Sequence, residues 1–198
     1  MSNVRLGVQT GNFYQANPGA PASQVISGNT IEARRTGIFH NLHYSSASPM
    51  TFSNNTIEAL ANANETRWDG IALSSLAVPS VSTNNTIDGN GLVYSNLSKG
   101  YEVWNVAAPI TNSTITGGSV SGVDIGVFAN NYDGYSSDAS DGAYATISGL
   151  TITPKVTGVG VRIYDNALAT SHAPVRLDLS GCTISGGLEG IKFEETQA

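Results

Sequence analysis

The chain has 198 residues, a formal net charge of −6 and only 12% charged side chains. That length suits one domain, residues 1–198, with a sizeable core. The acidic balance excludes the basic footprint of a nucleic-acid binder, no apolar run approaches the ~20 residues of a membrane-spanning helix, and the single cysteine, Cys182, excludes an internal disulfide.

In chain order, the first element is Leu6–Thr10, LGVQT, read as a strand with Val8 and Thr10 pointing inward. Asn12–Ala22 (NFYQANPGAPA) is read as a loop able to fold over the first coil of whatever follows. Ser27–Ile31, SGNTI, then opens a five-letter motif. It returns as SNNTI at Ser53–Ile57, TNNTI at Thr83–Ile87, TNSTI at Thr111–Ile115, SGLTI at Ser148–Ile152 and SGCTI at Ser180–Ile184. The closing isoleucines are spaced 26, 30, 28, 37 and 32 residues apart. A second motif, a Gly followed by apolar residues two apart, alternates with the first. It begins at Gly37, Gly70, Gly100, Gly126, Gly160 and Gly190, and Gly7 lies 30 residues before Gly37.

Alternation of two motifs along nearly the whole chain marks a repeat architecture. No stretch shows the 3.6-residue apolar period of a helix, and Asn, Thr and Gly are poor helix formers. The apolar stretches are short, alternating and rich in Ile, Val and Thr, which is strand chemistry. Short strands at a variable period, with no helical connector, predict an all-β fold: a right-handed, single-stranded parallel β-helix of about six coils.

Within the first motif, Thr points out and Ile points in. The residue before the Thr then faces the interior at a corner: Asn29, Asn55, Asn85, Ser113, Leu150 and Cys182. Stacked Asn side chains there can hydrogen-bond to one another and to backbone as an internal ladder, and Asn tolerates the left-handed backbone of a sharp corner. The apolar residue five before the Ile (Ile26, Phe52, Ile110, Ile147, Leu179) is expected inside, with Ser82 as the departure. Cys182 reads as a buried structural thiol. The same letters form N-glycosylation sequons at Asn54, Asn84 and Asn112, but the periodicity explains them without sugars.

These alternating segments resemble the repeats of right-handed parallel β-helices of the pectate-lyase-like superfold, over about residues 4–195. That superfold includes polysaccharide lyases, polygalacturonases, alginate epimerases, phage tailspikes and bacterial surface adhesins, so the resemblance implies a fold and leaves function open. No amphipathic capping helix is evident at either end, which reads as a segment of a longer secreted or cell-surface bacterial protein, extracellular in location.

In enzymes of that shape the chemistry lies on the outward face of one strand ladder. Two residues after each Gly the outward side chains are Phe39, Ala72, Glu102, Phe128, Arg162 and Lys192. Four after, they are Asn41, Ser74, Trp104, Asn130, Tyr164 and Glu194. Glu102, Trp104, Phe128, Asn130, Arg162, Tyr164 and Lys192 form the candidate glycan face, since aromatic rings stack on sugars while charges and amides bond hydroxyls.

No catalytic set is assigned. Arg162 or Lys192 would serve as a base only with a lowered pKa, and an inverting pair of Glu102 with Asp124 would need carboxyls ~6.5–9.5 Å apart. The Asp and Gly-His-Gly pattern of polygalacturonases and the Asp-Pro-His of epimerases are missing. The acidic stretch Asn130–Gly142 does not match a calcium-loop spacing. His40 reads as a core histidine, His40 with His43 lacks further zinc ligands, and Trp68 is expected to pack a loop. No metal or cofactor is expected.

The reading is a non-catalytic structural or carbohydrate-contacting module, with polysaccharide as its partner and weak end-to-end self-association. The alternatives are a polysaccharide-active enzyme (lyase, glycoside hydrolase or epimerase) on the same face and a phage tail fibre domain.

Overall fold

A computed structural model describes residues 4–12, 25–42, 50–60, 65–74, 80–90, 92, 97–104, 106–107, 113–131, 141–165 and 175–195. They form β1 (Val4–Asn12), β2 (Val25–Ser27), β3 (Thr30–Leu42), β4 (Met50–Ser53), β5 (Thr56–Ala59), β6 (Trp68–Ser74) and β7 (Ser80–Thr83). There follow β8 (Thr86–Asp88), β9 (Ser98–Trp104), β10 (Val106–Ala107), β11 (Ser113–Thr116), β12 (Ser119–Ser121) and β13 (Ile125–Asn130). The remainder are β14 (Asp141–Ser148), β15 (Thr151–Thr153), β16 (Val159–Asp165), β17 (Val175–Ser180), β18 (Thr183–Ile184) and β19 (Glu189–Glu195).

The strands stack in parallel as a β-solenoid, the expected all-β parallel β-helix. The first ladder is β2, β4, β7, β11, β14 and β17; the second is the start of β3 with β5, β8, β12, β15 and β18. The third is β1, the end of β3, β6, β9, β13, β16 and β19. β3 therefore serves two ladders, pairing β5 through Thr30–Ala33 and β6 through Thr36–Asn41. β10 adds to β14 in the antiparallel sense.

Why the two motifs alternate is visible in their contact. A Cβ placed on Gly7, Gly37, Gly70, Gly126 or Gly160 would overlap the Cγ2 of Ile31, Ile57, Ile87, Ile152 or Ile184, which belongs to the next coil. At Gly100 the same space is filled by Val120. Each glycine is thus the seat for the following isoleucine, and the six seated residues form one column, five of them buried and Ile184 partly so. Gly190 is the exception: no atom lies within 4 Å of the position a Cβ would take.

The Asn ladder is present. The backbone and side-chain N–H groups of Asn29 both donate to Asn55 Oδ1 at 3.1 Å, and those of Asn55 donate to Asn85 Oδ1 at 3.0 Å. Asn55 and Asn85 are buried. The left-handed backbone, however, belongs to the preceding residue: Gly28, Asn54, Asn84, Gly117, Gly149 and Gly181 all have φ between 52° and 67°. Adjacent residues divide the work, one turning the chain and the next bonding along the axis.

The fourth copy of the motif is shifted. Ile115 pairs with Ser82 and Ile147 on the first ladder, and Val120 takes the expected isoleucine place beside Ile87 and Ile152. Gly118, not Ser113, precedes the outward Ser119; Ser113 is a buried first-ladder residue that accepts a hydrogen bond from Ser80. With no side chain at Gly118, the Asn ladder stops there. The column spacings become 26, 30, 33, 32 and 32, more even than the letters implied.

Ser82 faces the interior because it has polar company: it accepts from Asn85 Nδ2 at 2.8 Å and lies 3.1 Å from the hydroxyl of buried Tyr101. Leu150 is fully buried. Cys182, expected buried, is only partly so, with its thiol 3.7 Å from Ile147 O. Ile110, His43 and most of Asn130–Gly142 lie outside the described residues.

Candidate functional site

Strand pairing puts the expected outward residues of the third ladder in two columns. Phe39, Ala72, Glu102, Phe128, Arg162 and Lys192 are register partners, as are Asn41, Ser74, Trp104, Asn130, Tyr164 and Glu194. Five of the seven candidate residues, Glu102, Trp104, Phe128, Asn130 and Tyr164, line one cleft of about 310 Å³ together with Arg67. Arg162 stacks its guanidinium 5.3 Å from the Phe128 ring and 6.0 Å from that of Tyr164. Lys192 stands further along, tied to Glu194 at 2.8 Å and Glu189 at 3.6 Å.

Glu102 is not an exposed surface carboxylate; only 2% of it reaches solvent. It forms an ion pair with Lys99 and accepts from Arg67 at 2.8 Å. Arg67 also donates to Asp69 at 2.9 Å, and Lys99 lies 3.7 Å from the second Asp69 oxygen, too far for a hydrogen bond. Asp69 and Lys99 are likewise buried. Two acids and two bases thus form one cluster beneath the cleft, with Lys99 4.9 Å from the Phe128 ring and Arg67 5.4 Å from that of Trp104. Burial, reinforced by the Asp69 carboxylate, pushes the Glu102 carboxyl up to about 7 against the opposing pull of Lys99 and Arg67.

Arg67, Asp69 and Lys99 were not among the expected site residues. Strict alternation puts the residue before each Gly inside. The alternation breaks at the glycine, where the chain bends from the second ladder to the third, and Asp69 and Lys99 turn to the outer face. The available signal was in the sequence: a charged residue directly before Gly70 and Gly100, on neighbouring coils.

The other expected roles are reassigned by geometry. Asp124 does not stand free for an acid pair: its Oδ2 accepts from Ser98 N and Oγ at 2.9 and 2.7 Å, and its Oδ1 from Lys155 at 3.1 Å. The carboxylate that joins Glu102 is Asp69. Lys192 is no candidate base, since its hydrogen bond to Glu194 raises its pKa. His40 is a core histidine, its Nδ1 2.8 Å from Thr10 Oγ1 and its ring edge-on to Phe52; burial pulls its pKa down to about 4. Trp68 is buried and donates to Ala33 O at 3.0 Å.

A second cleft, of about 270 Å³, continues toward β1 and is lined by Arg5, Gln9, Arg35, Phe39, Ala72 and Trp104 among others. Arg67 and Trp104 border both clefts, so the third ladder carries one interrupted groove running along the axis.

Fold and groove define a parallel β-solenoid with an aromatic face on which arginines and lysines are paired with carboxylates. No protein-family model matches the chain, no curated protein is similar to it, and no solved structure matches it.

Proposed function

We propose that this is a carbohydrate-contacting structural module of a secreted or cell-surface bacterial protein, a right-handed β-helix of the pectate-lyase-like kind. The observation that carries the reading is the groove on the third ladder, in which Phe39, Trp104, Phe128 and Tyr164 alternate with Arg35, Arg67 and Arg162. Sugar rings stack on such aromatic faces while their hydroxyls and acidic groups take the guanidinium and amide donors. A solenoid suits the task, because its stacked coils hold those side chains at a fixed rise of ~4.8 Å. A glycan array probed with the intact chain and with Trp104→Ala tests it; no glycan signal, or signals indifferent to Trp104, would remove the reading.

One observation favours a second reading, a polysaccharide-active enzyme. Glu102 borders the larger cleft, and a carboxyl held near neutrality is suited to give and take a proton. A depolymerisation assay against uronate polymers separates the two readings: turnover lost in Glu102→Gln supports the enzyme, and no turnover supports the binding module. The tail-fibre alternative requires a trimer, which light scattering would reveal.

A further inference from the structure

We propose that the outward face of the first ladder is an ice-binding surface, on which two columns of Thr, Ser and Val side chains meet the ordered water of an ice crystal. It belongs to a different ladder from the groove, and its ligand is independent of the carbohydrate reading.

The face is the regular middle of that ladder. Thr51, Val81, Thr114 and Thr146 are register partners in one column, and Ser53, Thr83, Thr116 and Ser148 in the next. Between the columns Phe52, Ser82, Ile115 and Ile147 are fully buried, which fixes both columns on the solvent side. Each of the four coils then rounds the corner to an outward hydroxyl of the second ladder in the same number of residues: Thr51 to Thr56, Val81 to Thr86, Thr114 to Ser119 and Thr146 to Thr151. Those four are register partners too, a third column of hydroxyls beyond the corner. No insertion interrupts the array.

Strand propensity explains single threonines on a sheet. It does not explain the absence of charge from two solvent-facing columns through four consecutive coils. The outward columns of the third ladder carry Glu102, Arg162 and Lys192, and the second ladder carries Glu32, Glu58 and Asp88. On the first ladder charge enters only beyond the fourth of these coils, at Arg176 and Asp178 of β17. A neutral array complements a neutral ligand, whereas an ionised side chain would have to give up its hydration against ice.

The hydroxyl group bonds as water does, with one donor and two acceptor positions. Its repeats here are ~4.8 Å from coil to coil and ~6.6 Å between alternate residues of a strand. The first is close to the repeat of oxygen rows on a prism face of ice, and the second is of similar size to the repeat across them. Branching at Cβ fixes χ1 of Thr and Val, so hydroxyls and methyls are in place before contact. That matters for a ligand too rigid to adapt, since nothing need be ordered on binding. Within the array Ser148 Oγ donates to Thr116 Oγ1 at 3.3 Å, one coil to the next. A sugar polymer fits this face less well: neither column holds an aromatic ring for stacking, and Tyr144 stands at the margin, beside Arg176.

The test is the fraction of the intact chain taken up by ice grown slowly from a dilute solution, with thermal hysteresis measured on the same samples. The chain is expected to enter the ice, and Thr116→Lys, at the centre of the array, to lower uptake about tenfold or more, through a charge that must lose its water. Val156→Lys adds the same charge at a side chain 86% exposed and outside the array, and should leave uptake unchanged. Circular dichroism checks folding; should Thr116→Lys misfold, Thr83→Lys in the adjacent coil decides. A chain excluded from ice, uptake indifferent to Thr116→Lys, or equal losses in Thr116→Lys and Val156→Lys would each overturn the surface. Exclusion from ice with retention on crystalline cellulose, lost in Thr116→Lys, would overturn it in favour of a polysaccharide surface.

Discussion

Asn55 donates two hydrogen bonds to a single atom, Asn85 Oδ1, each at 3.0 Å. One oxygen therefore satisfies a backbone and a side-chain donor of the coil before it, in a place water does not reach. Replacing Asn85 with Ala removes the acceptor of both and the donor to the Phe52 carbonyl and the Ser82 hydroxyl, leaving Asn55 Nδ2 its bond to Ile26 O and Ser82 its contact with Tyr101. The expected loss is on the order of 1–3 kcal/mol for the site. Asn29→Ala, at the exposed start of the ladder, should cost less. Thermal melts of the two variants check the order; equal losses would mean that ladder position does not matter.

The corner residues predict a different response. Asn54 and Asn84 hold φ of 54° and 52°, where the equivalent corners use glycine. Asn54→Gly should be neutral or mildly stabilising, and Asn54→Ala should lose about 1–2 kcal/mol, the strain of a left-handed non-glycine residue. Chemical denaturation of the pair measures the difference. If Ala is tolerated as well as Gly, the corner is not the constraint.

The glycine seats give an internal control. Gly126→Ala drives a methyl into Ile152 and lies 2.5 Å from Gly160 O, so a loss of about 1–3 kcal/mol is expected from overpacking. Gly190→Ala meets nothing within 4 Å and should change stability by less than about 0.5 kcal/mol. Comparable melting temperatures for both variants would refute the seat.

Two buried titratable groups act against each other with pH. The Glu102 carboxyl is raised from 4.5 to about 7, so the folded state binds more protons, and stability falls as pH rises from about 4.5 to about 7. His40 is lowered from 6.5 to about 4, so the unfolded state binds more protons, and stability is lost as pH falls from about 6.5 to about 4. The wild type should look nearly flat between pH 5 and 6 through cancellation. Glu102→Gln should expose the His40 slope, rising with pH, and His40→Leu the Glu102 slope, falling with pH. Urea midpoints across that range would show whether the two slopes have opposite signs.

End-to-end association is expected to be weak and promoted by salt. Leu188, Ile191 and Phe193 are exposed on the last described coil, at 76%, 48% and 74%, while the net charge of −6 keeps copies apart at low ionic strength. Among the described residues the third ladder has one strand more than the other two, so stacking β1 of one copy on β19 of another would leave a step on the remaining sides. Sedimentation at rising salt and protein concentration tests it, with Phe193→Asp as the variant that should abolish any association.

The glycine column was legible in the sequence at every position from Gly7 to Gly190, and with it both outward columns of the third ladder. Its signal is strong because only glycine fits the seat. The fourth copy of the first motif misled because TNSTI matches in letters while its Ile115 belongs to the ladder before. In two- to four-residue strands a short offset changes which ladder a residue joins, and little local chemistry resists it. Asp69 and Lys99, which join the expected Glu102 in one cluster, were missed for a related reason: a bend suspends the inside–outside alternation, and the alternation was the only guide to side-chain direction. Of the site, the aromatic and outward charged residues could be read; Arg67 and Arg35 lie beside the strand columns, where spacing carries no information.

The seating of each isoleucine in the previous coil's glycine also makes the coils interchangeable parts. All the contacts that fix register pass between one coil and the next, so a cut made after one seated residue and rejoined after the next removes a whole coil without disturbing the match at the junction. Joining Ile152 to Ser185, for example, leaves Gly126 filled and brings Gly190 into the place of Gly160. Such a chain would keep its cross-section and lose ~4.8 Å of length. The groove would shorten with it by one step, and the reach of the binding face becomes a quantity set by the number of repeats.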